Sequence, residues 1–190
     1  MPKFLFSIIT ICVFLSGQMF AAEKDASSAP GPRWCIATPT LRIRALPSTD
    51  GEIIDKIPYG VQVHVLGERS EEQTIGRKTG RWVEVQFHGK HGYAFDAFLS
   101  EKEPTVTIKG IEKKTAALVN SVKQQEDHCS IEFVDAAGTT FVETARSADV
   151  CRRALLGKRV KLLYTLNKAC THSDSCPKII LDDLQVLPFR

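Results

Sequence analysis

The chain has 190 residues, with 25 Lys and Arg against 22 Asp and Glu and a formal net charge of +3 at neutral pH. A balance so close to neutral argues against a dedicated nucleic-acid binder, which shows a basic face, and the second half shows no interleaved aromatic and basic run of the kind a single-strand groove uses. Loss of Lys3 with an N-terminal leader lowers the charge only to +2.

Lys3 opens the chain with a positive charge, and residues 4–15 are apolar apart from Ser7 and Thr10. Ser16, Gly17 and Gln18 follow, then the small residues Ala21 and Ala22. Basic start, apolar run and small-residue exit are the order of a secretory signal peptide, assigned to residues 1–22. The apolar run is shorter than the ~20 residues a spanning helix needs, so no stable membrane span is expected in the mature form. Cleavage after Ala22 places Phe20, and after Ala21 Met19, where a small residue is preferred. An uncleaved membrane-surface anchor is the rival reading. Residues 23–33 are rich in Ala, Ser, Pro and Gly and are expected to be a flexible leader. Roughly 160 residues remain, enough for one large domain or two small ones.

Residues 34–101 read as short strands divided by turns. Leu41, Ile43 and Ala45 alternate with Arg42 and Arg44, and Pro47-Ser48-Thr49-Asp50-Gly51 is dense in turn formers. Ile53, Ile54 and Ile57 precede a turn at Pro58-Tyr59-Gly60. Val61, Val63 and Val65 alternate again. Residues 70–80 are polar and glycine-bearing and are expected to be a loop. Trp82, Val83, Val85 and Phe87 form the next strand, His88-Gly89-Lys90 a hairpin turn, and Gly92-Tyr93-Ala94-Phe95 a further strand. Strands this closely spaced imply a small barrel.

Three pieces of this half, in order, resemble the bacterial SH3-like (SH3b) domain. They are Leu41-Arg42-Ile43-Arg44-Ala45-Leu46-Pro47-Ser48-Thr49, the stretch 54–65, and Arg81-Trp82-Val83-Glu84-Val85 with Gly89-Lys90-His91-Gly92-Tyr93-Ala94 and Phe98-Leu99-Ser100. Arg42 stands where the family pattern has Asn, and Ala45-Leu46 where it has Ser-Gly. The resemblance implies a small β-barrel that binds cell-wall or peptide ligands and carries no catalytic set. Arg42 and Arg44 share a strand face, since residues two apart point the same way. With Trp82, Tyr93 and Phe95 they are the candidate ligand-binding residues: aromatic surface and cations suit a peptide or a peptidoglycan stem carboxylate. The plainer alternative makes Trp82 and Tyr93 core residues and leaves the two Arg to solvate a face.

A charged joint, Glu101-Lys102-Glu103-Pro104, leads to residues 104–190. An alternation starts at Val106, Ile108 and Gly110 and continues toward Leu118 and Val122. Cys129, Ile131 and Phe133 pair as a hairpin with Phe141 and Glu143 across a turn at Asp135-Ala136-Ala137-Gly138. Residues 148–156 have helical spacing, with Ser147 or Asp149 as the cap and Gly157 as the stop. Strands follow at 158–166 and 179–187. Three strands, a short helix and two strands is the order of an OB-like five-stranded barrel. The fold class is therefore all-β: an N-terminal SH3-like barrel and a C-terminal OB-like barrel with one short helix. Packing between the two is left open.

Six cysteines are present, and Cys12 leaves with the signal peptide. Export permits disulfides, and the five that stay leave one unpaired. Cys129 with Cys151 and Cys170 with Cys176 are the disulfide candidates; Cys35, alone in the first half, is the unpaired one. Zinc ligation by Cys170, His172 and Cys176, with His128, is the rival reading, but the spacing is not that of a structural zinc site, so no metal and no cofactor are expected. No nucleophile, metalloprotease or phosphate-loop motif occurs, and the neighbours Asp182 and Asp183 face opposite sides of a strand. The expectation is a non-catalytic protein, periplasmic or secreted. Its expected partner is peptidoglycan or an envelope peptide or protein, and not nucleic acid. An interaction or inhibitor protein docking on an exported partner is the alternative.

Overall fold

The computed structural model describes residues 29–68, 70–168 and 178–188. The first nine strands are β1 (Gly31–Cys35), β2 (Thr40–Arg44), β3 (Ile53–Pro58), β4 (Gln62–Glu68), β5 (Gln73–Ile75), β6 (Lys78–Gly80), β7 (Trp82–Phe87), β8 (Lys90–Phe95) and β9 (Leu99–Ser100). Seven of them form one sheet in the order β3-β2-β8-β7-β4-β1-β9. Every one of the seven strands except β8's polar start sends alternate residues into a single core that holds Ile43, Ile57, Val65, Val83, Val85 and Ala94. One core shared by a single sheet means that the sheet wraps around it, an open barrel with β3 and β9 as its edges. The period-two pattern dictates this: in β2, Leu41 and Ile43 are buried while Arg42 is exposed.

The β7–β8 turn is the two-residue His88-Gly89 loop, closed by Phe87 opposite Lys90. Both central residues have positive φ, 50° and 74°, which is the type I′ geometry that matches strand twist. Two expectations need correction here. Gly31–Cys35 is a strand paired with β4, so the leader does not run to Arg33. Residues 70–80 are not an open loop: β5 and β6 pair as a hairpin, Gln73 opposite Gly80. The turn chemistry of Gly76 was visible, but three-residue strands are too short for period two to register.

The second half holds β10 (Thr105–Ile108), β11 (Ile111–Lys114), β12 (Ala116–Gln124), β13 (Cys129–Val134), β14 (Thr140–Ala145), α1 (Ala148–Arg152), β15 (Arg159–Leu166) and β16 (Ile179–Val186). The last five strands close a barrel in the order β12-β13-β14-β16-β15, with α1 between its third and fourth strands. Its core includes Ile131, Phe133, Leu155, Leu162 and Leu181. Ser147 caps α1 by accepting from the Val150 N–H at 3.5 Å. The helix stops at Arg152, short of Leu156, which is exposed. The alternation expected to run from Val106 to Val122 is instead broken by a hairpin turn at Lys109-Gly110, both at positive φ.

Cys129 and Cys151 form a disulfide that ties β13 to α1, as expected. Cys35 is a free thiol, buried among the strands of the first sheet, and burial pushes its pKa up to about 11. Cys170, His172 and Cys176, three of the four residues of the rival zinc set, lie outside the described residues, as does the signal peptide.

The β10–β11 hairpin is pinned to the barrel by charge. Lys113 donates to both Glu143 oxygens at 2.9 Å, and Lys114 bonds Asp135 and pairs with Glu103 at 3.2 Å. Asp135 also accepts from the Ala137 and Thr139 N–H groups at 2.9 and 2.8 Å. Desolvation by burial acts to raise the Asp135 pKa, but Lys114 and the two amides outweigh it and hold the carboxyl below the usual range. Its stabilisation is therefore present above the unfolded-chain value of about 3.9 and is lost as pH falls through the lower folded value. Asp135→Ala strands those two amides and is expected to destabilise the chain by about 2 kcal/mol at pH 7. Urea unfolding at pH 7 and pH 3 checks this: the gap between parent and variant should narrow in acid.

The two halves pack together. The Tyr59 hydroxyl donates to Thr115 Oγ1 at 2.7 Å, because Thr115 spends its own proton on the Pro104 carbonyl at 2.7 Å. Tyr59, Ala116 and Leu187 form a small buried cluster, and the Lys161 ammonium sits 4.9 Å from the Tyr59 ring centroid. Gly60, at φ +69°, gives Ala116 room: a Cβ there would collide with the Ala116 methyl.

Candidate functional site

The outward face of β2 carries the candidate cations. Leu41 and Ile43 turn into the core, which sends Arg42 and Arg44 to the opposite side. Register then adds a third cation: Lys56 on β3 stands directly opposite Arg42. Arg44 donates to the Gly51 carbonyl at 2.6 Å and thereby braces the β2–β3 turn. The Arg42 guanidinium and the Lys56 ammonium have no hydrogen-bond or ion-pair partner among the described residues. Like charges directly opposite on adjacent strands destabilise the free protein, so a ligand anion between them relieves a repulsion as well as making new bonds.

These three cations line a groove of about 450 Å³ whose floor is aromatic, with Trp82 and Phe95. Both rings are 3 % exposed, packed edge to face with centroids 5.6 Å apart. Trp82 is thus a core residue and a groove floor at once. The β5–β6 hairpin holds it there: Trp82 Nε1 donates to Gln73 Oε1 at 3.2 Å, and the Trp82 backbone N–H donates to Ser70 Oγ at 2.9 Å. Ile75 of the hairpin, Phe98 and Pro39 complete the walls. The Thr38–Pro39 peptide, at the rim, is cis.

Four of the five residues singled out from sequence meet in this groove: Arg42, Arg44, Trp82 and Phe95. Tyr93 does not line it. It stands opposite Arg44 on β8, half-buried, and Glu84 is its partner on the other side. Lys56, Ile75 and Phe98 were missed. Lys56 carries no local signal, since its place beside Arg42 is set by strand register alone. Ile75 sits in the segment read as a loop.

The lining offers cations, threonine hydroxyls and apolar surface. Chemically this suits a ligand with a carboxylate at one point and an apolar or ring face at another. Residues 39–100, about a third of the chain, match the family described as Bacterial SH3 domain. No curated protein and no solved structure matches the chain significantly.

Proposed function

We propose, from a bacterial SH3 domain at residues 39–100, that this chain is an exported, non-catalytic binding protein of the bacterial envelope. In this reading its SH3 domain holds peptidoglycan, or an envelope peptide, in the groove above Trp82 and Phe95. The observation that carries it is the unpartnered Arg42–Lys56 pair over an aromatic floor. Arg42 and Lys56 take the ligand carboxylate, and the Trp82 and Phe95 ring edges take its apolar part. The disulfide between Cys129 and Cys151 supports an oxidising compartment, in keeping with the apolar leader read from residues 1–22. The strand order of the second barrel, and a helix between its third and fourth strands, support an OB-like reading for residues 104–190. Its place in this function is to stiffen the module through the Tyr59 contact.

Co-sedimentation of the chain lacking its first 22 residues with purified sacculi tests the proposal. The parent is expected to pellet. A variant with Arg42→Glu and Lys56→Glu, both exposed positions, should lose at least tenfold in apparent affinity with an unchanged circular dichroism spectrum. Failure of the parent to pellet above a protein of similar charge sinks the wall reading. The rival, an interaction protein docking on an exported partner, loses one motive, because Cys35 is buried and cannot reach a second chain.

A further inference from the structure

A second groove, of about 560 Å³, runs where the first sheet meets the second barrel. It is not separate from the aromatic one: Pro39, Thr40 and Lys56 line both. Strand register explains the junction. Thr40 stands opposite Pro58 and Arg42 opposite Lys56, so these four side chains share one face of the β2–β3 pair, and the grooves abut across it. The far wall is Ile53, Ile54 and, from just past β16 of the second barrel, Pro188. Each groove alone lies within the roughly 300–1,000 Å³ of a small-ligand site. Joined at Lys56, they suit an elongated ligand.

The two ends differ in chemistry. The aromatic end presents the cations Arg42 and Lys56, unpartnered among the described residues. The far end has most of its hydrogen bonding already taken. The Lys56 N–H donates to Asp55 Oδ1 at 2.8 Å, the Ile54 carbonyl accepts from Lys90 at 3.3 Å, the Pro58 carbonyl accepts from the Val61 N–H at 3.2 Å, and Pro58 has no N–H of its own. Asp55 is paired with the same Lys90 at 3.2 Å. The remaining polar side chains are His88, stacked on Phe87, and the shared Thr40 and Lys56. Beside them the surface is aliphatic: Ile53 is 41 % exposed and Ile54 half-buried. Sugar hydroxyls or a further strand buried there would be left largely unpaired; aliphatic side chains meet no such penalty. We propose, resting on the carboxylate site at Arg42 and Lys56, that the two grooves act as one and take an extended peptide segment of a partner protein. Its acidic residue meets Lys56, and its aliphatic side chains, about 10 Å along at the strand rise, cover Ile53 and Pro188. The second barrel thereby adds a wall to a site on the first, and the peptide, not a glycan, is the occupant of the far end.

The test is an amide NMR titration of the isotope-labelled chain, without its first 22 residues. The probes are acetyl-Glu-Gly-Val-Leu-amide, its reversed sequence so that both chain directions are sampled, the same two peptides with Ser-Ser in place of Val-Leu, and a peptide-free glycan oligomer of the wall. In one direction the Val-Leu peptide is expected to shift Arg42, Lys56, Ile53 and Leu187 in one saturable step. It should bind about tenfold tighter than its Ser-Ser counterpart, the gain from covering about 50 Å² of apolar surface. Ile53→Ser, at an exposed position, should erase that gain. Shifts at Arg42 and Lys56 with no gain from Val-Leu overturn the proposal and leave the carboxylate site standing. A glycan oligomer that binds at residues 53–58 as tightly as the peptide also overturns it, and makes the wall polymer the occupant. No shift with any probe, at Arg42 or at Ile53, overturns both readings together.

Discussion

Trp82→Ala is expected to lower the unfolding free energy by about 3–5 kcal/mol, the range for removing a buried large aromatic. The ring is 3 % exposed, packs edge to face on Phe95 and donates to Gln73. Its removal opens a cavity under the β5–β6 hairpin and takes away the floor of the cationic groove at the same time. Binding to sacculi should fail with it. Trp82→Phe separates the two roles: it keeps an aromatic floor but loses the bond to Gln73 and part of the buried ring volume, at about 1–3 kcal/mol, and binding should largely persist. Urea unfolding followed by circular dichroism is the appropriate measurement, since Trp34 would confuse a fluorescence signal. A Trp82→Ala variant within 1 kcal/mol of the parent would show that the ring is not a structural floor.

The paired substitution Cys129→Ala and Cys151→Ala is expected to cost about 3 kcal/mol, the loop-closure value for a separation of 22 residues. The bridge joins β13 to α1, and Val150 and Leu155, on and just beyond that helix, are core residues of the second barrel. Its loss should therefore loosen the helix first. Hydrogen exchange resolves this: amides of residues 148–152 and of β13 should lose protection before those of β7. Protection lost equally in both halves would mean that the Tyr59–Thr115 contact couples them into one unfolding unit. The double variant serves better than a reducing agent, because it removes this bridge and nothing else.

The strands of the first half were readable because each face of a half-buried strand repeats every two residues. Leu41 and Ile43 against Arg42, or Val83 and Val85 against Glu84, state their orientation in the chain itself. The His88-Gly89 turn was readable for a comparable reason, since the positive φ of a type I′ loop asks for such residues. Lys109-Gly110 has the same chemistry and was passed over, because the apolar residues flanking it are exposed or half-buried and the alternation continued through it. The Cys129–Cys151 bridge followed from a strand and a helix lying in sequence on one small core. Asp135 was read only as a turn residue; that it also holds Lys114 depends on a hairpin folding back from residues 105–114, beyond what a local pattern contains.

By itself, then, the sequence determined the all-β class, the bacterial SH3 domain and four of the side chains that meet at its groove. These are properties of residues close together in the chain, where periodicity, turn stereochemistry and motif order act. Tertiary structure alone decided that Lys56 faces Arg42, that Trp82 is both core and floor, and that β3 lies at the edge of its sheet. Each of these is a matter of register or of packing between distant segments. A one-residue slip in strand pairing would move Lys56 to the other face, and nothing local in its neighbours forbids that slip; the shared core does.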